Sequence, residues 1–205
     1  MNRPLLLAAM AAICSLAHGQ RSWPTATRAA DLQLGGGYTF ARSDYVPNTI
    51  GGFGFYGDFD IKGHYGVEVD FHQVRDPNPD PIVPDNHFSE RTYEVGGRYV
   101  RHYPRWGVSP YVKALYGRGV VNFRAHQVYF PTGVLTYIDN IAYNMAVLGG
   151  GVDYHLSPRV NVRADFEYQR WFASDAELPN GLTPGLFTIG VAYHFPSRPP
   201  RRLVP

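Results

Sequence analysis

The sequence predicts an all-β protein: a closed, eight-stranded antiparallel up-and-down transmembrane β-barrel. Three observations predict it. Eight segments alternate bulky residues with small or polar ones at a period of two, so each has two chemically different faces. The connections between these segments alternate short and long. Aromatics make up 15% of the chain, and 22 glycines and 17 prolines favour strands and turns over helices.

The N-terminal segment is set aside before the strands are read. Arg3 supplies a positive charge, and Leu5 to Leu16 form an apolar run too short to span a membrane. Ala17-His18-Gly19 has the small-x-small pattern of a cleavage site, so residues 1–19 are expected to be a signal peptide. Cys14 is the sole cysteine, and the β-branched Ile13 before it argues against lipid attachment there. The mature chain then has no disulfide. The formal net charge of +2 gives no electrostatic case for nucleic acid. No later stretch approaches the roughly 18 apolar residues of a helical span. An exported chain without such a span is a soluble secreted protein or a barrel.

Residues 20–29 read as a periplasmic lead, and the barrel is expected over residues 30–195. The first strand, about 30–41, sets Leu32, Leu34, Tyr38 and Phe40 against Gln33, Gly35, Gly37 and Thr39. The second, about 50–61, sets Phe53, Phe55, Phe59 and Ile61 against Gly52, Gly54, Tyr56, Asp58 and Asp60. The third, about 65–74, alternates most cleanly in the first half, with Val67, Val69 and Phe71 against Glu68, Asp70 and His72. The fourth, about 91–100, puts Tyr93, Val95 and Tyr99 opposite Glu94, Gly96 and Arg98. In the fifth, about 110–123, Val112, Ala114 and Tyr116 face outward and Lys113 inward; Arg118 falls on the outward parity, which implies a bulge or the membrane edge. The sixth, about 143–156, carries three glycines in its middle. The seventh, about 160–172, sets Val162, Ala164, Phe166 and Tyr168 against Arg163, Asp165, Glu167 and Gln169. The eighth ends the barrel at Phe195.

Residues 62–64, 101–108 and 157–159 are short turns; 42–49, 75–87, 124–140 and 173–184 are longer polar loops. Outward aromatics fall at two heights, Tyr38, Phe40, Phe53, Phe71, Tyr168 and Phe172 near the loops and Phe59, Tyr65, Tyr99, Tyr154, Tyr193 and Phe195 near the turns. Two girdles suit the two faces of a bilayer. A soluble, ligand-carrying barrel is disfavoured, because the opposite face carries charges and glycines that line an apolar pocket poorly.

The run from Leu148-Gly149-Gly150-Gly151-Val152-Asp153-Tyr154 to Asp165-Phe166-Glu167-Tyr168 resembles the sixth and seventh strand hairpin of OmpA-like transmembrane domains. Gly35-Gly36-Gly37-Tyr38 and Ser109-Pro110-Tyr111-Val112 resemble the starts of that family's first and fifth strands. Thr188, Gly190, Tyr193 and Phe195 fit the terminal-strand signal by which outer-membrane barrels are recognised for assembly. The resemblance covers about residues 30–195 and implies a monomeric Gram-negative outer-membrane barrel with periplasmic termini and extracellular long loops. It implies outer-membrane lipid, lipopolysaccharide and the barrel assembly machinery as partners. No peptidoglycan-binding domain follows in this sequence, and a basic Pro-rich tail, residues 196–205, continues past Phe195.

The inward parity collects Glu68, Asp70, Glu94, Arg98, Lys113, Arg163, Asp165 and Glu167. Buried ions need partners, so a polar network centred on Glu68, Glu94, Lys113 and Arg163 is expected. Carboxylates outnumber cations, so some should reach water or hold protons. Such an interior is either a sealed plug or a narrow ion path, and the plug is favoured.

Catalytic and metal signals are weak. His87-Phe88-Ser89-Glu90 resembles the His-x-Ser pair of lipid A deacylases, but residues two apart on a strand are about 7 Å apart and the surrounding pattern is missing. His64, His72, His102, His126, His155 and His194 do not cluster at ligand spacing. Asp76-Pro77-Asn78-Pro79-Asp80-Pro81 reads as a stiff, acidic, exposed loop that offers cations or surface ligands a contact. The role expected is envelope structure and surface interaction without catalysis, cofactor or metal. A low-conductance pore and a lipid A-modifying enzyme are the alternatives.

Overall fold

The computed structural model describes residues 30–61, 63–130, 133–172 and 180–195; the expected signal peptide, N-terminal lead and basic tail lie outside these. The strands are β1 Ala30–Arg42, β2 Thr49–Ile61, β3 Tyr65–Arg75, β4 Ser89–Val100, β5 Val108–Asn122, β6 His126–Phe130, β7 Gly133–Tyr137, β8 Asn140–Ser157, β9 Val160–Trp171 and β10 Gly185–Phe195.

Eight of them close a barrel in the order β1-β10-β9-β8-β5-β4-β3-β2, every neighbour antiparallel. The seam pairs Leu32 with Phe195 and runs unbroken to Arg42 opposite Gly185. Glycines make this close: a Cβ on Gly37 would lie 2.2 Å from the Ile189 carbonyl oxygen. Closure leaves the barrel sheet without an open edge.

The parity of each strand decides its faces. Leu34, Tyr38, Phe53, Val69, Tyr93, Val112, Tyr116, Leu148, Phe166 and Ile189 point out and are exposed. Their neighbours point in and are buried or, at several glycines, partly buried. An apolar wall of this kind is what a bilayer demands of a barrel. Tyr193 and Phe195 meet edge to face at 4.7 Å between ring centroids, and Tyr65 approaches Tyr99 at 5.3 Å, both near the short-turn end.

Three expectations are corrected. The long connection 124–140 is not a plain polar loop: β6 and β7 pair as a separate two-stranded hairpin beyond the barrel rim. Its alternation was too short to register as strands. Arg118 lies in unbroken register with Tyr93 and Asn144, so there is no bulge at that position; the irregularity is at His155–Ser157 in β8. The interior is not polar throughout. Toward the long-loop end it becomes an apolar plug of Trp171, Met145, Val147, Ile50, Val74 and Leu186, capped by Phe88, Phe123, Val46 and Leu182. Gly119 leaves room for the Trp171 ring, which a Cβ there would meet at 2.2 Å.

Candidate functional site: the filled barrel interior

Eight strands enclose a lumen that side chains can fill, and here they fill it in layers. At the short-turn end, Ser109 Oγ lies 2.8 Å from His155 Nε2 and 2.9 Å from His102 Nδ1, and His155 Nδ1 lies 2.8 Å from Asn161 Oδ1. Asn161 in turn donates to Gln33. The order Ser–His–Asn copies a hydrolytic triad, but Ser109 is buried and the adjoining cavity is ≈ 20 Å³, room for about one water. The cluster locks the lower mouth.

The next layer holds two guanidinium groups. Arg163 bonds Asp153 through Nε at 2.7 Å and contacts Asp58 and Glu68. Arg98 contacts Asp58 at 2.5 Å, Glu68 at 3.3 Å, Asp153 at 3.3 Å and Asp60 at 3.5 Å. Arg163 stacks over the Tyr56 ring at 4.0 Å, and both arginines lie over Tyr111, at 4.4 Å for Arg98 and 4.7 Å for Arg163. Planar, weakly hydrated guanidinium suits such a sandwich better than an ammonium would. Tyr111 donates its hydroxyl to Asp165.

Above it, the Lys113 ammonium sits among four carboxylates: Glu167 at 2.6 Å, Asp70 and Asp165 at 2.8 Å and Glu68 at 3.0 Å. Glu68 joins this layer to the one below. His72 follows, 3.2 Å from Thr39 Oγ1 and 3.3 Å from Glu167, and Gln169 donates to both Glu94 and Glu167. Trp171 donates to Gln169 and so ties the ionic column to the apolar plug.

All eight residues of the expected network therefore face inward and are buried, but its centre is different. Glu94 has no ion pair among the described residues and sits at the network's upper margin, bonded to Gln169. The hub is Lys113, Glu68, Arg163 and Arg98. Asp58 and Asp153, which carry much of the arginine contact, were not singled out from the sequence; their inward parity was the available signal. Asp70, His72, Glu94 and Glu167 offer ligand atoms within 4.8 Å of one another. The Lys113 ammonium already meets two of them, and both His72 nitrogens are engaged, so the protein's own cation fills this acidic pocket. The interior carboxylates still outnumber Arg98, Lys113 and Arg163; protons and water must balance the rest.

Other expected groups separate. His87 Nδ1 lies 3.1 Å from the Asp76 carbonyl oxygen, while Phe88 between His87 and Ser89 is buried in the plug. No hydrogen bond joins His87 to Ser89 among the described residues. Asp76 and Asp80 are not exposed. Asp76 accepts from the Asn78 amide at 3.0 Å and from Arg124 at 2.5 Å; Asp80 accepts from the Ile82 amide at 2.8 Å and from the Ala125 amide. Two carboxylates each capping a turn fold the 75–88 loop and fasten it to residues 124 and 125, in the connection between β5 and β6. An apolar groove over Gly57 opens on the outer wall between Leu34, Phe55 and Val69 and belongs to that wall.

A closed eight-stranded barrel with an apolar outer wall and an interior of paired ions is an outer-membrane β-barrel. The family model for the outer membrane protein beta-barrel domain matches residues 5–195, and the chain belongs to that family. The bacterial outer membrane is accordingly its place. The fold is similar to that of Ail, the attachment invasion locus protein of Yersinia pestis, solved with the heparin analogue sucrose octasulfate (18% identity, 82% of this chain and 99% of that one, TM-score 0.58). It is also similar to Neisserial surface protein A (15% identity, 81% and 97%, TM-score 0.56) and to the N-terminal barrel of Pseudomonas aeruginosa OprF (14% identity, 80% and 97%, TM-score 0.50). No curated protein sequence matches the chain.

Proposed function

We propose that this barrel is a non-conducting, non-catalytic envelope protein that holds its long loops and the β6–β7 hairpin at the cell surface. The observation that carries the reading is the filled lumen. Two cavities lined by described residues, ≈ 20 Å³ at the lower mouth and ≈ 10 Å³ beside Lys113, are each about one water in size, and the apolar plug lies above them. An ion crossing the barrel would have to break the Lys113 and arginine contacts and then pass the apolar plug, where buried Glu90 is held by Ser43 between Val74 and Val121.

The surface role draws support from the hairpin. Tyr129, Val134, Leu135 and Ile138 are exposed there, apolar residues presented beyond the barrel. The proposed orientation puts the long loops outside and both termini in the periplasm, as short turns on one end and long connections on the other suit a barrel of this type. Terminal-strand residues Thr188, Gly190, Tyr193 and Phe195 are proposed to be read by the assembly machinery, and the barrel to act as a monomer. Labelling of whole cells with a membrane-impermeant maleimide tests the orientation. Asp85→Cys, in the exposed part of the 75–88 loop, should react in intact cells, and reaction only after lysis would reverse the topology.

A further inference from the structure

We propose that Arg75, Arg91 and Arg118, on the outer wall at the long-loop end, form a binding site for the phosphate groups of lipid A. The inference rests on the outward orientation of the long loops proposed above. The distribution of charge is its starting point. Strand-borne carboxylates of the described residues lie on the inward parity, whereas Arg42, Arg75, Arg91, Arg118 and Arg170 lie exposed on the outward parity, all toward the long loops.

Three of these are neighbours. Arg91 pairs across β3–β4 with Gln73, two residues from Arg75, and Tyr93, two residues from Arg91, pairs across β4–β5 with Arg118. Arg75–Arg91 and Arg91–Arg118 are therefore diagonal cross-strand pairs, roughly 7–8 Å apart and within reach of long side chains. Arg91 donates to Gln73 at 2.5 Å and Arg118 to Asn144 at 3.1 Å, neutral partners that orient the guanidinium groups without neutralising them. Of the loop carboxylates, Asp44 is engaged with Thr183 and half-buried Asp139 with His126, and no ion pair joins exposed Asp85 to these arginines among the described residues. Like charges at this spacing are unfavourable unless an anion lies between them.

Their height selects the anion. Arg91 and Arg118 each lie two residues beyond an outward tyrosine, Tyr93 and Tyr116, and Arg75 lies four beyond Phe71. Two residues along a strand tilted by 35–45° rise about 5 Å. The polar layer outside the hydrocarbon is about 5–7 Å deep on each side. The arginines thus continue the lipid-facing wall into the phosphate layer. Guanidinium forks bind phosphate bidentately, and lipid A presents phosphates at both ends of a disaccharide, a span that a row of arginines on three strands matches.

The test is binding of purified full-length protein in detergent to bisphosphorylated lipid A, to its dephosphorylated form and to phosphatidylglycerol, read by native mass spectrometry. Wild type should retain bisphosphorylated lipid A at least about tenfold more tightly than the other two, and R75Q/R91Q/R118Q should lose that preference. The lysine triple variant, which keeps the charge, should recover part of it and serves if the glutamine variant does not fold. Equal binding of dephosphorylated lipid A, equal displacement by phosphatidylglycerol, or full affinity in the glutamine variant overturns the proposal. Because the assay is independent of orientation, its failure is separable from a failed labelling result at Asp85→Cys.

Discussion

Lys113 Nζ and Glu167 Oε1 lie 2.6 Å apart, both buried, on β5 and β9, strands separated in the barrel by β8. The contact reaches over Gly149 of β8, which is in register with both residues and has no side chain to block it, so it braces two strands that do not touch each other. The same carboxylate oxygen meets His72, a residue of β3 on the far side. One ion pair thereby joins three sectors of the barrel.

Removing the lysine should show this. Lys113→Met leaves Glu68, Asp70, Asp165 and Glu167 crowded without their common cation. Truncating one partner of a buried pair costs about 3–5 kcal/mol. Unfolding in urea from detergent micelles should report a loss of that order, and a loss below about 1 kcal/mol would mean that the interior is wet enough to screen the acids.

Trp171 is the largest fully buried side chain, and Trp171→Ala should cost about 3–5 kcal/mol. Gly119→Val, which drives a side chain into the same ring, should destabilise by about 1–3 kcal/mol. Both are read from thermal unfolding. If the glycine variant matches wild type, the ring does not lie against Gly119.

The seam between β1 and β10 depends on backbone approach. Gly37→Val puts side-chain atoms onto the Ile189 carbonyl, which only backbone movement relieves. The compact, heat-modifiable form on gels should be reduced or lost, whereas Gly63→Ala, at a turn with open space, should keep it.

The 75–88 loop should open in acid. Covering raises the pKa of the Asp80 carboxyl, but amides of Ile82, Ala125 and Val83 outweigh that and hold it below its ordinary 3.8; the Asn78 amide and Arg124 do the same for Asp76. A depressed folded value means stabilisation present above pH 3.8 and lost as the pH falls through the lower folded values. The Ala125 amide resonance should hold its position from pH 7 to 5 and move only below about pH 4. Movement at pH 5–6 would contradict the bonding described.

Much of this was legible in the sequence because a strand's period is two. Glu68 and Asp70, or Arg163 and Asp165, separate from their apolar neighbours on parity alone, and the seam follows from strand order. What parity lacks is distance across the lumen, which depends on the stagger of the closed sheet. Glu94 and Lys113 share a face and neighbouring strands, yet Gln169 rather than Lys113 bonds Glu94. The apolar plug escaped for a related reason. Met145, Val147 and Trp171 have inward parity, but bulky apolar side chains suit a packed interior and a lipid face alike, so composition does not mark them as a plug. In the 75–88 loop, Pro and Asp suggested exposure, whereas the Asp side chains cap turns and are covered.

The central claim is that the lumen is sealed by the Lys113–arginine layers and the Trp171 plug. Single-channel recording of the purified barrel in planar bilayers tests it most directly. A flat trace across voltage from pH 5 to 8 is the predicted result; discrete, reproducible conductance steps would contradict the account.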